Sequence, residues 1–247
     1  MSQPARVIAV YSLKGGVGKT TLAVNLAAEM ALSKGKRSLL WDLDPQAAAS
    51  YILGRDDGGK ARAQAMFERE LPVGKLIRPT AVDGLDLLPA DTSLRGLDSL
   101  FSVLGKKRRL AKLIDSIAAR YDRIVLDCPP GLTETSEQVI RAADVIVVPL
   151  IPSLLSRRAL DEVVSYLKDK HKGHAPLLPV YSMVDRRRAL HKAALEAEPD
   201  WPRIPNASIV EKMAERRLPL AAYARRDPAN DAFTLLAKAI NVKLAKL

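Results

Sequence analysis

The chain has 247 residues, and 39 lysines and arginines against 28 aspartates and glutamates leave a net charge of +11. Hydrophobic residues at 48% and charged residues at 27% supply enough apolar surface for a large core, which excludes a disordered or fibrous chain. The only cysteine, Cys128, excludes an intrachain disulfide and a thiolate metal cluster and points to a reducing, cytoplasmic compartment.

Residues 1–5 run straight into an apolar segment, leaving no room for a signal peptide, and no apolar run approaches the ~20 residues of a membrane span. Short apolar runs at residues 7–11, 38–41, 85–88, 123–126, 145–149 and 177–183 read as strands. Residues 20–33, 110–119, 134–142 and 159–170 repeat their apolar positions at helical spacing. Strands alternating with helices predict an α/β fold, a doubly wound and mostly parallel sheet with helices on both faces. Residues 55–60 (RDDGGK) are loop-like but too short to divide the chain, so one domain over residues 1–247 is expected. Near the end, Asp227 is a natural N-cap with Pro228 at the first helical position. Phe233, Leu236, Ile240, Leu244 and Leu247 then share one face of a terminal amphipathic helix.

Chemistry enters after the first strand, at Lys14-Gly15-Gly16-Val17-Gly18-Lys19-Thr20-Thr21. Glycines let the backbone curl with its N–H groups pointing inward, and the N-terminus of the following helix adds positive potential, so the turn cradles phosphates. Lys19 is placed to reach the β and γ phosphates of ATP and Thr20 to put its hydroxyl on Mg2+. A dinucleotide-binding loop is excluded, because Thr21 stands where the third glycine belongs and Lys19 is left without a role. An ordinary P-loop would begin with glycine at position 13, where this chain has Leu13 followed by Lys14.

That departure resembles the deviant Walker A loop, KGGxGK[ST], of the ParA/MinD group of P-loop ATPases. Asp42-Leu43-Asp44-Pro45-Gln46 resembles the DxDPQ of the ParA branch, and residues 123–130 (RIVLDCPP) resemble its Walker B strand, ending in Asp127. Residues 183–187 (MVDRR) are similar to the family's MYDxR, and Ile204-Pro205 with Leu218-Pro219 to its IPR…LP stretch. The resemblance implies an ATPase that dimerises on ATP, with Lys14 crossing the interface to the partner's nucleotide. It implies that Asp44 orients the attacking water, that Asp42 supports the magnesium shell, that Asp127 holds Mg2+ through water, and that Pro205 and Asn206 lie beside the adenine. Weak hydrolysis would be stimulated by DNA and by a partner protein that marks the cargo. The molecule would associate with the nucleoid through non-specific DNA binding and would partition or position that cargo. Two other readings stay open: a MinD-like ATPase that cycles on a membrane through the terminal helix, against which Asp44-Pro45-Gln46 favours the ParA branch, and a nucleotide-gated scaffold with negligible turnover.

Charge supports an anionic partner, nucleic acid or a phospholipid surface, since residues 1–150 carry +4 and residues 151–247 carry +7. Arg186, Arg187, Arg188 and Lys192 open the helix after the sixth strand-like run and are candidate DNA contacts. Lys212, Arg216 and Arg217 join them as the nearest substitutes for basic residues of the family, whose pattern has arginine, a second basic residue and glycine where this chain has Asn206, Ile209 and Arg217. The basic run 106–109 (KKRR) reads as a solvated face. His171, His174 and His191 lack metal-ligand spacing and read as surface histidines, and Cys128 as a small buried residue.

Overall fold

The structure, a computed structural model, describes residues 5–33, 35–54, 63–68, 71–105, 108–171 and 173–247. Its strands are β1 (Arg6–Val10), β2 (Ser38–Asp42), β3 (Arg78–Pro79), β4 (Leu85–Leu88), β5 (Arg123–Asp127), β6 (Val145–Leu150), β7 (Leu177–Val184) and β8 (Arg203–Pro205). They form one sheet in the order β3-β4-β2-β5-β1-β6-β7-β8, parallel throughout except for β3, which pairs antiparallel with β4. The expected doubly wound, mostly parallel sheet is therefore present. Both outermost strands are very short and end in proline, Pro79 and Pro205.

Eleven α-helices are seen among the described residues: α1 (Lys19–Ala31), α2 (Ala48–Ile52), α3 (Ala63–Glu68), α4 (Leu97–Leu104), α5 (Arg109–Asp115), α6 (Glu134–Ala142), α7 (Leu154–Lys170), α8 (Ala189–Ala197), α9 (Ser208–Arg216), α10 (Leu220–Tyr223) and α11 (Pro228–Leu244). Side chains alternate across a strand, so an all-apolar strand feeds two cores at once. In β1, Val7 and Ala9 enter the core under α3 to α7, where Trp41, Phe67 and Phe101 also pack. Ile8 and Val10 enter the other, under α1, α2, α9, α10 and α11. Ten of the thirteen residues of α1 are buried, as befits a helix clamped between the sheet and α11.

The terminal helix behaves as a closing element. Asp227 caps it by accepting the Ala229 N–H at 2.8 Å, and Phe233, Leu236, Ile240 and Leu244 are buried against the sheet and α1. Leu247, expected on the same stripe, lies past the last turn and is exposed. No helix among the described residues is long and apolar enough to cross a membrane. Residues 55–60 and Lys106 and Lys107 lie outside the described residues. Arg109 departs from the solvated reading of its basic run: it is buried, with Nε donating to the Phe67 carbonyl at 2.8 Å.

Candidate functional site

Strand order places the chemistry. From β1 the chain turns first toward β2, and after β5 it crosses to β6 on the other side, so the crevice opens at the carboxyl ends of β1, β2 and β5. The loop after β1 fills it. Gly16 and Gly18 hold φ of +71° and +83°, conformations that tax any residue with a Cβ. Gly15 needs no such angle, yet a Cβ on Gly15 or Gly16 would meet nothing within 4 Å; both face open space. Lys19 is buried, and its Nζ donates to the Lys14 carbonyl at 3.2 Å across the curl. The loop is also tied to the sheet, because Ser182 on β7 donates from Oγ to the Val17 carbonyl at 2.7 Å. Gly15, Gly16, Gly18, Lys19, Thr20, Thr21, Asp44 and Arg95 line a cleft of about 590 Å³. Lys14 is half-buried and stands outside that lining.

The carboxylates gather at the cleft's floor. Asp42 and Asp127 are register partners on adjacent parallel strands, so both side chains leave the sheet on the α1 side. Asp42 is fully engaged: Oδ2 accepts from the Ser50 N–H and Oγ at 2.9 and 2.8 Å, and Oδ1 from the Asp44 N–H at 3.1 Å. Burial pushes its carboxyl up to about 6, the Ser50 hydrogen bonds opposing. Ser50 Oγ also accepts the Ala90 N–H at 2.9 Å, so this one hydroxyl joins the ends of β2, α2 and β4. Asp127 differs. Both its oxygens are buried without a hydrogen-bond partner of ordinary geometry, and burial, then the Asp42 charge, hold its carboxyl well above the usual range. The Thr20 hydroxyl and Lys19 ammonium favour the charged form but are outweighed. Asp44 reaches the cleft directly, its Oδ1 accepting the Gln46 N–H at 2.9 Å in a local turn.

A second cavity, of about 390 Å³, adjoins the first. Pro205 and Asn206 line it with Met183, Val210, Ile52 and Phe233, and Gly18 and Thr21 belong to both cavities. A mostly apolar pocket thus shares a wall with a polar cleft at the start of α1.

The basic candidates fall elsewhere. Arg186, Arg187 and Arg188 are exposed in the turn that precedes α8, not inside it, and Lys192 follows on the helix. Arg187 is already held by Asp185 through two 2.9 Å hydrogen bonds, which keep that carboxyl well below its ordinary range. Lys212 and Arg216 are exposed on α9, and Arg217 caps that helix with its guanidinium 4.6 Å from the Tyr51 ring. Two histidines contradict the surface reading. His191 is buried, and its Nδ1 accepts the Asp185 N–H at 3.0 Å; His171 is buried with Nε2 2.9 Å from Glu137. Among the described residues no group of acidic, histidine and cysteine side chains is placed to hold a metal on its own. Cys128 is buried as expected. Sequence spacing carried no signal for Ser50, Ser182 or Arg95, since each acquires its place only through tertiary contact.

The chain is similar to known proteins in sequence and in fold. The family model described as AAA domain matches residues 5–178. The chromosome partitioning protein ParA of Caulobacter vibrioides is 34% identical over 199 residues, covering 76% of this chain and 73% of that protein. The chain belongs to the ParA family of P-loop ATPases. The sporulation initiation inhibitor Soj of Bacillus subtilis, 30% identical over 197 residues, covers 77% of this ParA-family chain and 78% of its own length. The fold matches that of the Cyanothece McdA–ATP complex with a TM-score of 0.82 at 21% identity, over 97% of this chain and 98% of the other.

Proposed function

We propose that this chain is an ATP- and Mg2+-dependent ATPase of one domain that dimerises on ATP, binds duplex DNA without sequence preference, and partitions or positions a cargo. The observation that carries the reading is the pair of cavities joined at Gly18 and Thr21. A nucleoside triphosphate has this composition: a polyanion for the glycine curl, Lys19 and the start of α1, and a flat apolar base for Pro205, Met183 and Val210. Mg2+ fits the donor set. A hard cation takes oxygen ligands, and the Thr20 hydroxyl stands by the unpartnered, buried oxygens of Asp127. When bound, the metal would neutralise phosphate charge.

The chain's own groups divide the remaining work. Lys19 exchanges the Lys14 carbonyl for phosphate oxygens, and Asp44 orients the attacking water from the open side of the cleft. Asp42 acts through others, fixing the Asp44 backbone and α2. Lys14, outside its own cleft, is free to serve a partner's nucleotide in a homodimer. Burial of Phe233, Leu236, Ile240 and Leu244 in the core counts against the membrane-cycling alternative, which would use that stripe as its anchor. The parallel with the chromosome partitioning protein ParA of Caulobacter vibrioides favours chromosome or plasmid partitioning as the class of work, and DNA and a partner protein that marks the cargo are expected to stimulate hydrolysis.

Titration with labelled ATP and a phosphate-release assay test the nucleotide reading. Lys19→Ala is expected to weaken ATP binding at least about tenfold. Asp44→Ala should keep ATP affinity while turnover falls ~10²-fold or more. Undiminished ATP affinity in Lys19→Ala would refute the phosphate site, and parental turnover in Asp44→Ala would refute the water-orienting role. Turnover indistinguishable from zero in the parent, with DNA present, would leave the nucleotide-gated scaffold instead.

A further inference from the structure

Arg95 is a cation in the phosphate cleft that none of the sequence motifs contains. It lies on the 3-10 turn Thr92–Gly96, on a wall separate from the glycine curl, and lines the same space as Gly15, Lys19, Thr20, Asp44 and Pro129. Its backbone is anchored on every side. Leu94 and Leu97 are buried at 3% and 1% exposure. Asp91 caps the turn by accepting the Ser93 N–H at 2.8 Å and also accepts the Ala63 N–H at 2.9 Å from α3. Asp98, in the first turn of α4, accepts the Thr135 N–H and hydroxyl at 2.8 and 2.7 Å, binding α4 to the start of α6.

The side chain is the opposite. Arg95 is exposed, and its guanidinium makes no hydrogen bond, ion pair or ring contact with the described residues, although Asp44 lines the same cleft. Other guanidiniums are used: Arg109 on the Phe67 carbonyl, Arg187 on Asp185, Arg217 on Tyr51. A fixed root with a free fork beside the glycine curl suits an anion that arrives from outside. A guanidinium binds a phosphate through two parallel N–H bonds, with a geometric demand that an ammonium lacks.

We propose that Arg95, which lines the same cleft as Lys19 in the same chain, contacts the terminal phosphate of the bound nucleotide, and so distinguishes a triphosphate from a diphosphate and stabilises the charge that develops at that phosphate during hydrolysis. This role rests on the reading of the cleft as a nucleotide site. Lys19 serves both nucleotides, whereas Arg95 serves only the one with a third phosphate, and that difference makes the two roles separable.

The test is binding of labelled ATP and of labelled ADP, with phosphate release, for the parent, Arg95→Ala and Arg95→Lys, with thermal melts to confirm folding. Arg95→Ala should bind ADP as the parent does, lose about tenfold in ATP affinity, and lose ~10²-fold or more in turnover, the scale of one preorganised donor aimed at a developing anion. Arg95→Lys should recover part of the ATP affinity and little of the turnover, because the charge returns without the fork. ATP affinity and turnover equal to the parent's in Arg95→Ala would overturn the proposal. So would an equal loss for ADP and ATP, which a general charge effect produces. A parent that binds neither nucleotide would sink the reading of the cleft and this role with it.

Discussion

At the scale of single residues, Asp42 and Asp127 are buried carboxyls whose ionisation the ligand-free fold opposes. Both carboxyls are raised, Asp42 to about 6 and Asp127 well above the ordinary range, with burial the first cause in each. A carboxyl raised on folding binds its proton more tightly in the folded chain than in the unfolded one, where it titrates near ~3.9. Its contribution to stability is therefore fully present below that value and is lost as pH rises through about 6 for Asp42, and higher for Asp127. In the absence of nucleotide and divalent metal, Asp127→Asn removes the ionisable group while nearly keeping the shape. Thermal melts should show it more stable than the parent at pH 7 by a few degrees, roughly the 2–4 °C that 1 kcal/mol produces at this size, with a shallower decline between pH 5 and pH 8. A lower melting temperature with an unchanged pH profile would show that the carboxylate costs the ligand-free fold nothing. Arg217 makes the opposite trade. It sits at φ +54°, a left-handed position where the family pattern has glycine and another residue spends ~1 kcal/mol or more. Its guanidinium lies over Tyr51, and its Nε donates to the Tyr51 carbonyl at 3.1 Å, so side-chain contact between α9 and α2 offsets backbone strain.

At the scale of elements, α11 shows which turns close the core and which merely finish the chain. Leu244 is buried at 2%, and Asn241 Oδ1 accepts from Arg123 Nε and Nη2 at 3.0 and 2.9 Å, whereas Leu247 is exposed. Removing residues 245–247 should leave the melting temperature within about a degree. Removing residues 241–247 should lower stability by ~2–5 kcal/mol, the scale of a lost buried leucine, with the Arg123 bonds lost as well. Equal stability of the two truncated chains by denaturant unfolding would contradict this division. The same helix was legible in the sequence because its cap, its proline and its stripe are local signals. So were the six long strands, whose apolar runs feed both cores, and α6, whose bounds coincide with its periodicity. β3 and β8 were not, since two or three residues carry no period and exist as strands only by pairing with β4 and β7. Residues 154–158 of α7 were missed for a related reason. Leu154 and Leu155 are 85% and 69% exposed, so the buried stripe that reveals the helix begins further along, while its start depends on the Ser153 cap. In the site, the glycine curl and Lys19 were legible because backbone chemistry fixes their order, and the aspartates at strand ends through their resemblance to the family's motifs. Arg95, Ser50 and Ser182 meet the cleft from distant segments, and no spacing announces them.

At the scale of the whole molecule, the candidate DNA-contacting cations flank one edge of the sheet. Arg186, Arg187, Arg188 and Lys192 stand before and on α8, packed against one core, while Lys212 and Arg216 stand on α9, packed against the other; β8 runs between. If duplex phosphates meet this surface, anisotropy titrations of arbitrary duplexes with ATP present should show affinity falling linearly with salt on logarithmic axes. The slope is expected near −4 for about four phosphate contacts, decreasing by about 1 for each cation removed from Arg186, Arg188, Lys212 and Arg216. Affinity that ignores salt, or that survives reversal of all four charges, would exclude this face.

The short outer strands have a consequence for how copies of the molecule can meet. A sheet grows by offering unpaired N–H and C=O groups along an edge, and fibres form when that offer is open. Here each end of the sheet offers two or three residues and then a proline, which has no N–H to give. Polymerisation through the backbone is closed off at both margins. Association between copies would then run through side chains, which leaves assembly under the control of individual residues.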